Sequence, residues 1–391
     1  MFNPFNLYAY IFLLMIGLYT LKWSSLYPSL QISLVFFILI TSTICIFLSK
    51  IYNDKVRYSD IEVRSNKLGY AVGVLLVAHC IEFMYFGRIP LFSLASNAYF
   101  DFEDYSGIPF LHVFIVSFNI FLSTYIFHAY ISSKNKQTLV FFILTLIPPV
   151  LIVSRGLSIM IVISCTFLYL TQHRKVITKK IPLIILVGVC LLYLFGLFGN
   201  VRLSNQVNLD SNYNDASLIM LMGGATEEFR DSLIPDSFFW GYLYITSPLA
   251  NLQNTVQDEP EIDLLSFFSN NILYDFLGNR MSEAYDIDDP NVNLIHHNLT
   301  VGTFFMRAYP GLGWLGLILM FLHYLFIVSF YVFILGKSKQ YFFTGISILS
   351  AIILFNGFSN MFVFSGFSLA IIYPVLLYAF NRLRKNMQLS R

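Results

Sequence analysis

The sequence predicts an all-helical protein that crosses a membrane about ten times. Of its 391 residues, 57% are hydrophobic and 12% are charged, whereas soluble domains carry about 25% charged residues. Apolar runs of about 20 residues recur along the chain, the length at which a helix crosses a roughly 30 Å hydrocarbon layer. No internal repeat or Gly/Ser-rich linker divides the sequence, so residues 1–391 are expected to form a single membrane domain.

Ten apolar runs are predicted to be transmembrane helices. The first has no basic residues before it and no small-residue cleavage site, so we expect it to be retained. All four cysteines lie inside apolar runs, which indicates neither a disulfide framework nor a thiolate metal site. The runs cover residues 5–21, 29–49, 68–87, 109–131, 138–153, 157–171, 181–199, 312–335, 341–358 and 361–380.

The basic residues predict how the helices are oriented. The tail after residue 381 and four short links hold 17 of the 24 lysines and arginines. Positive charge collects on the cytoplasmic side of membrane proteins, so both termini are expected there. The opposite, outer side then holds 19 of the 22 carboxylates. The four links are residues 50–67, 132–137, 172–180 and 336–340.

Two predicted outer segments are longer than a simple turn. Residues 88–108 form one, and residues 200–311, between the seventh and eighth spans, form a large loop. Segments 236–252 and 264–277 of this loop are predicted to be short amphipathic helices that lie on the membrane or roof the bundle. Long ordered loops in a compact protein usually carry function, so the outer side is predicted to be the working face.

Arginine dominates the basic residues of the outer side, which indicates a phosphate-bearing ligand. A guanidinium is always charged, and its planar fork binds two phosphate oxygens at once. The outer basic residues are Lys22, Arg88, Arg155, Arg202, Arg230, Arg280 and Arg307.

Arg155 stands in the turn of an apolar hairpin, "LIVSRGLSIM" (151–160). Its flanking helices are short, and a charge at membrane depth usually faces a cavity that binds a substrate. We therefore predict a phosphate contact. A snorkelling arginine, or one that caps carbonyls freed by Pro148 and Pro149, is the alternative.

The other outer arginines divide into two groups. Arg202, Arg307 and Arg88 lie at the ends of predicted spans, where each is either a diphosphate ligand or an interfacial anchor. Arg230 and Arg280 lie among acidic residues and are predicted to form solvated ion pairs.

Glu82 and the pair His296–His297 are the candidate bases. Glu82 lies one turn inside the outer end of the third span, where a carboxylate serves as a general base or pairs with Arg88 or Arg155. Either adjacent histidine is a base, a diphosphate ligand or a surface residue. The remaining histidines in spans, such as His79 and His112, are predicted to pack between helices or line a cavity.

No metal site is predicted. "DEPEID" (258–263) and "DIDDPN" (286–291) are rich in carboxylates, but the latter lacks the glycine of a calcium loop at its sixth position. Both are interpreted as solvated acidic turns. No Gly-rich phosphate loop, GxSxG or HExxH motif is present.

The chain resembles the bacterial oligosaccharide repeat-unit polymerases, the O-antigen polymerase (Wzy-type) family. The shared layout is ten to fourteen helices, basic inner links and a large outer loop before the last spans. Locally the resemblance rests on "EFMYFGRIPLF" (82–92), "LIVSRGLSIM" (151–160), "GNVRLS" (199–204), "YLYITSPLANL" (242–252) and "TVGTFFMRAYPGLGWLG" (300–316).

This resemblance implies a glycosyltransferase of the membrane-embedded GT-C kind, in the bacterial cytoplasmic membrane with its active face outside. Such an enzyme moves a glycan from undecaprenyl diphosphate to the next lipid-linked repeat unit, without a metal or other cofactor. Arg155 and Arg202 would hold the leaving diphosphate, with Arg88 and Arg307 as weaker candidates, and Glu82 or His297 would take the acceptor proton. Membrane lipids, a chain-length regulator and a flippase are the expected partners, and nucleic acid is not.

Three other functions remain open at this stage. An O-antigen ligase performs the same chemistry on lipid A–core. A lipid-linked oligosaccharide flippase would be expected to show repeated halves and shorter outer loops. A membrane O-acyltransferase requires a buried histidine, for which His323 is the candidate.

Overall fold

The helical content of the protein agrees with the prediction. The computed structural model describes residues 3–63, 65–95, 107–174, 179–206 and 215–389, and over these residues it is all-helical without a β-strand. Among these residues, seven helices are long and apolar enough to cross a membrane. Three shorter apolar helices, Pro4–Tyr19, Lys136–Leu151 and Phe342–Phe355, coincide with predicted spans. The chain is thus a multi-pass membrane protein, and the count of ten crossings stays a prediction.

The helices are numbered in chain order. They are α1 (Pro4–Tyr19), α2 (Ile32–Lys55), α3 (Ser65–Phe86), α4 (Pro90–Ala95), α5 (Leu111–Ser133), α6 (Lys136–Thr145), α7 (Ile147–Leu151), α8 (Arg155–Gln172), α9 (Ile181–Gln206), α10 (Ser217–Met222), α11 (Glu227–Arg230), α12 (Phe238–Thr255), α13 (Leu264–Asn271), α14 (Asp275–Tyr285), α15 (Ala308–Leu335), α16 (Phe342–Phe355), α17 (Ser365–Ser368) and α18 (Ile372–Leu389). A 3₁₀ turn, Leu369–Ile371, joins α17 to α18.

Helices α5 and α16 occupy the centre of the bundle. Every residue of α16 from Phe342 to Ile353 is buried, and 78% of the apolar stretch of α5 is buried. A helix that is apolar on all sides is stable in this position because neighbours cover every face, and α16 packs against α1, α5 and α8. One of its polar groups, Thr344 Oγ1, lies 3.0 Å from His128 Nδ1 on α5.

In contrast to α5 and α16, helix α9 is mostly exposed, because little of it packs against other parts of the protein. Only 11% of its apolar stretch is buried, and among the described helices its main contacts are with α12 and α10. These contacts lie at its C-terminal end, where Gly196 and Gly199 let it approach α12 closely. The helix continues to Gln206, beyond the predicted end at residue 199, so Arg202 lies within its last turns.

One face of the bundle is covered by residues 215–307, and we call it the loop face. A second hydrophobic cluster, including Phe229, Phe239 and Tyr242, lies there. The turn between α1 and α2 joins it, since Trp23 packs on the Phe229 ring at 5.0 Å and Ser24 forms an isolated bridge with Ala225. Burial raises the pKa of Tyr242 to about 12, so its hydroxyl is neutral.

The predicted helices of the loop face differ from the observed ones. Segment 236–252 belongs to α12, which is mostly buried and packs against α1 and α9 rather than lying on a surface. Segment 264–277 is two helices, because Tyr274 is extended between α13 and α14 and the Asp275 N–H donates to the Val363 carbonyl. Residues 96–106 of the predicted segment 88–108, and residues 207–214 of the large loop, lie outside the described residues.

Candidate functional site

A cavity of about 440 Å³ opens on the loop face where α9 meets α12. Arg202 lines it from α9, Trp240 and Tyr244 from α12, and His296 and Asn298 from the segment before α15. We call it the Arg202 cavity. It combines a guanidinium, an imidazole and two aromatic rings in one concave site, which is the composition expected for a ligand with both charged and apolar parts.

Close packing of α9 on α12 shapes this cavity. A Cβ atom at Gly199 would lie 2.7 Å from the Trp240 indole, and one at Gly196 would lie 2.0 Å from the Ser237 carbonyl oxygen. The Trp240 Nε1–H donates a hydrogen bond of 2.8 Å to Asn200 Oδ1, which fixes the indole one turn from Arg202. The glycines therefore act through the absence of a side chain, and the indole keeps a defined orientation.

Residues 294–303 form a wall of the Arg202 cavity, and we call this segment the partition. A single buried side chain, that of Asn251 on α12, holds it in place. Asn251 Nδ2 donates to the Leu299 and Val301 carbonyls at 2.6 and 2.8 Å, and Oδ1 accepts from the Ile295 N–H at 2.9 Å. Three backbone groups of this segment, which bends at residues 295–298, are thus satisfied by one amide.

The partition carries the two predicted histidines in different environments. His296 is half-buried and lines the Arg202 cavity, whereas His297 is exposed and does not line it. Their rings lie 4.2 Å apart. The Asn298 N–H donates to His296 Nδ1 at 3.2 Å, so in the neutral ring Nε2 carries the hydrogen. His296 therefore presents a hydrogen-bond donor, the group that a phosphate oxygen accepts from.

A second cavity, of about 470 Å³, lies on the other side of the partition. Arg307 lines it, and we call it the Arg307 cavity. The Arg307 guanidinium lies 3.9 Å from an Asp289 oxygen, and the two side chains are 49% and 84% exposed. Such an exposed pair contributes little to stability. Leu294, Thr300 and Val301 of the partition line this cavity, and Val301 lines the Arg202 cavity as well.

Glu82 is completely enclosed, and its partners are histidines rather than arginines. Its Oε1 lies 2.9 Å from His112 Nδ1 and its Oε2 lies 3.4 Å from His79 Nδ1. Neither Arg88 nor Arg155 is within ion-pair distance among the described residues, so the predicted pairing with an arginine is wrong. The geometric reason is that His79 lies one turn before Glu82 on α3, and the packing of α3 on α5 brings His112 to the other carboxylate oxygen.

Gly107 closes the space beside this carboxylate. Its φ is +62°, and a Cβ there would lie 2.6 Å from His112 Nδ1 and 2.7 Å from Glu82 Oε1. Both the left-handed conformation and the close approach require glycine. The Glu82 carboxylate is therefore enclosed by His79 of its own helix, by His112 of α5 and by Gly107.

Arg155 and Arg88 are exposed at helix ends, outside both cavities. Arg155 begins α8, and no side-chain bond or ion pair of its guanidinium is found within the described ranges. Pro148 and Pro149 interrupt the preceding helix as predicted, and because they lack an N–H they cannot donate to the carbonyls four residues earlier, those of Leu144 and Thr145. Since no side-chain hydrogen bond of Arg155 is found within the described ranges, the predicted capping of these carbonyls by Arg155 is wrong.

The contact made by Arg280 differs from the predicted ion pair. No ion pair links it to Glu283 within the described part of the chain; its guanidinium lies 4.3 Å from the centre of the Phe110 ring. Stacking on an aromatic face is favourable for the weakly hydrated guanidinium. Charge spacing along a sequence does not reveal such a contact with a distant helix end.

The two acidic turns meet at one cavity of about 430 Å³, which sequence spacing did not predict. Asp258 and Glu261 line it from one turn, and Asp286, Asp288 and Asp289 from the other. Within the described residues no group of three or more His, Cys, Asp or Glu side chains is arranged to hold a metal ion. The interpretation as solvated turns stays a prediction.

The sequence did not predict that Trp240 and the polar residues of the Arg307 cavity line cavities, or that Asn251 binds the partition. The only available signal was a buried-type amide, Asn251, inside the apolar segment "YLYITSPLANL". Comparison of the chain with protein-family models, with curated proteins and with solved structures found no match.

Proposed function

We propose that the protein is a membrane glycosyltransferase of GT-C-like architecture, which polymerises undecaprenyl-diphosphate-linked oligosaccharide repeat units. It would act in a bacterial cytoplasmic membrane with the loop face outside, and build O-antigen or capsular polysaccharide. A flippase would deliver its substrates and a chain-length regulator would act with it. The observation that carries the proposal is the joint presence of Arg202, His296, Trp240 and Tyr244 in one cavity at the end of a lipid-exposed helix.

The lining of the Arg202 cavity fits the three parts of such a donor. The Arg202 fork and the His296 Nε2–H supply donors for the diphosphate oxygens. The Trp240 and Tyr244 rings, with centroids 6.3 Å apart, supply flat faces for the first sugar. The sides of α9 that lack protein contacts supply an apolar path for the polyprenyl chain, because the helix leads through the membrane to Arg202.

The reaction needs charge stabilisation on one side and proton removal on the other. An acceptor hydroxyl oxygen bonds to the anomeric carbon of the donor glycan, and the bond from that carbon to the diphosphate oxygen breaks. The bonding electron pair leaves with the diphosphate, where Arg202 and His296 stabilise the growing negative charge. The hydroxyl proton passes to a base.

His297 is the base that this geometry favours. It is exposed on the partition next to His296, so an acceptor hydroxyl can reach it. Glu82 has no exposed surface and is already bound by two histidines. The role that the family resemblance implies, as further contacts to the phosphates of lipid-linked substrates, is kept for Arg155 and Arg88, whereas Arg307 lines a separate cavity beside an aspartate.

A bacterial strain in which the gene for this protein is deleted tests the proposed function. It should display single repeat units on its surface lipid, and the wild-type gene should restore the ladder of chain lengths. Restoration should fail with Arg202→Ala and His297→Ala and succeed with Arg230→Ala, which changes an exposed arginine outside both cavities. Accumulation of long lipid-linked polymer in the deletion strain would identify a ligase, and a normal ladder would contradict a role in polymerisation.

A further inference from the structure

We propose that the Arg307 cavity binds the terminal sugar of the acceptor, so that acceptor and donor meet across the partition. This inference rests on the proposed function, because it assigns the second substrate of the same reaction. Polymerisation requires two substrates with their reactive ends together, and the two cavities share Val301 in their linings.

The partition places the two cavities back to back. His296 and Asn298 face the Arg202 cavity, whereas Leu294, Thr300 and Thr303 face the Arg307 cavity. A sugar in the Arg307 cavity therefore has the partition, and the histidines on it, between its hydroxyls and the donor. Val301, which lines both cavities, is the residue at which the two proposed sites adjoin.

The lining of the Arg307 cavity fits an uncharged saccharide better than a phosphate. Arg307 is its one charged lining residue within the described chain, and an aspartate already lies beside it. The other polar groups are amides and hydroxyls, which donate and accept equally and so match sugar hydroxyls. They are Asn270, Asn360, Thr300, Thr303 and Ser359.

Several of these groups are held in fixed orientations before any ligand binds. Asn360 is 7% exposed; its Nδ2 donates to the Asn271 carbonyl at 3.0 Å and its Oδ1 accepts from the Phe362 N–H at 3.2 Å. Asn270 Nδ2 donates to the Ser266 carbonyl at 3.0 Å. A rigid polar wall lowers the entropic cost of binding a ligand, and half-buried Phe358 adds an aromatic surface.

The lining of the Arg202 cavity differs from that of the Arg307 cavity, as the proposed roles in binding donor and acceptor require. It has the imidazole donor and the indole–phenol pair next to an arginine, whereas the Arg307 cavity has fixed amides next to an arginine with a carboxylate neighbour. The first lining stabilises a departing anion, and the second recognises hydroxyl groups.

The experiment uses purified protein, the lipid-linked repeat unit from the deletion strain as donor, and the methyl glycoside of the same oligosaccharide as acceptor. The glycoside has no diphosphate and can only accept. The double variant Thr300→Val/Ser359→Ala removes two exposed hydroxyls with little change of shape. We expect it to raise the KM for the glycoside about fivefold or more, with the donor KM unchanged within about twofold. Arg230→Gln, the matched control, should change neither.

Three outcomes distinguish this inference from the proposed function. A raised donor KM, or an acceptor KM within about twofold of wild type, would overturn the assignment of the Arg307 cavity while transfer itself stands. Saturation-transfer NMR with the glycoside alone should show binding to the wild type and weaker binding to the double variant. Such binding without any transfer would refute the glycosyltransferase and leave a saccharide site; neither binding nor transfer would refute both.

Discussion

The carboxylate of Glu82 and the imidazole of His112 are bound across two helices, with 2.9 Å between Oε1 and Nδ1 and no exposed surface on the glutamate. An ionisable side chain within a membrane segment is expensive unless it is paired. This contact links α3 to α5, and α5 is the most buried of the long helices. The pair is therefore expected to stabilise the packing of the bundle.

Glu82→Gln should lower the stability of the protein by about 3 kcal/mol, because it breaks a buried pair. Gly107→Ala should also destabilise it, since the added methyl meets both members of the pair and the backbone has a positive φ. Gly73→Ala, on the helix that carries Glu82 and with nothing within 4 Å of the added methyl, is the control and should not destabilise the protein. Thermal unfolding in detergent measures all three. Wild-type stability of Glu82→Gln with loss of activity would instead identify Glu82 as the base.

Arg202→Lys should reduce kcat by about 100-fold, nearly as much as Arg202→Ala, because lysine keeps the charge but not the fork. Arg155→Lys should have a smaller effect, since Arg155 lies outside the two cavities. Rates from purified variants at equal expression measure the difference. If Arg202→Lys retains the wild-type rate, the diphosphate contact at this position is wrong.

Asn251→Ala should disorder the partition, because the Ile295, Leu299 and Val301 backbone groups lose their partner. Each unsatisfied buried group costs about 1–3 kcal/mol, so the segment should become sensitive to limited proteolysis and activity should fall. Asn254→Ala on the same helix removes one bond, to the Asn293 carbonyl at 3.3 Å, and should behave as wild type. Equal protease resistance of the two variants would show that Asn251 does not hold the partition.

Topology can be tested with single cysteines in a cysteine-free background. Leu233 is fully exposed on the loop face, and Lys337 lies in a basic link on the opposite face. An impermeant thiol reagent added to intact cells should label Leu233→Cys, and should label Lys337→Cys only after the membrane is opened. The reverse pattern would place the loop face in the cytoplasm and contradict the proposed function.

Chelation tests the metal-independent mechanism. Activity of the purified protein should persist in EDTA, and Asp288→Ala should be tolerated, because Asp288 lines the acidic cavity and neither of the arginine cavities. The measurement is the transfer rate before and after chelation. Loss of activity that magnesium restores would assign the stabilisation of the leaving group to a cation.

The positions of the long apolar helices could be predicted from the sequence. A helix that is surrounded by lipid or buried in the bundle needs apolar residues along its whole length, and such runs are visible in the sequence. Predicted span 109–131 and observed α5 (Leu111–Ser133) differ by two residues at each end. The contacts between helices could not. Apolar periodicity does not identify which helix faces Glu82, and nothing local to "GNVRLS" shows that Trp240 lies against Gly199. The composition of the Arg202 cavity depends on segments far apart in the chain, so Arg202 and His296 could be predicted as candidates, but not their meeting with Trp240 and Tyr244 in one site.

The bridge between Ser24 and the loop face has a consequence for biosynthesis. The Ser24 hydroxyl donates to the Gly223 carbonyl, 199 residues later in the chain, and Trp23 packs on Phe229. The first helical hairpin thus leaves the ribosome long before its covering partner is made. The turn between α1 and α2 therefore lacks its partner, and Trp23 stays uncovered, until all helices up to α9 have been inserted. Assembly factors that shield a nascent hairpin would act in this interval, and a ribosome stalled before residue 223 should leave Trp23 open to quenchers.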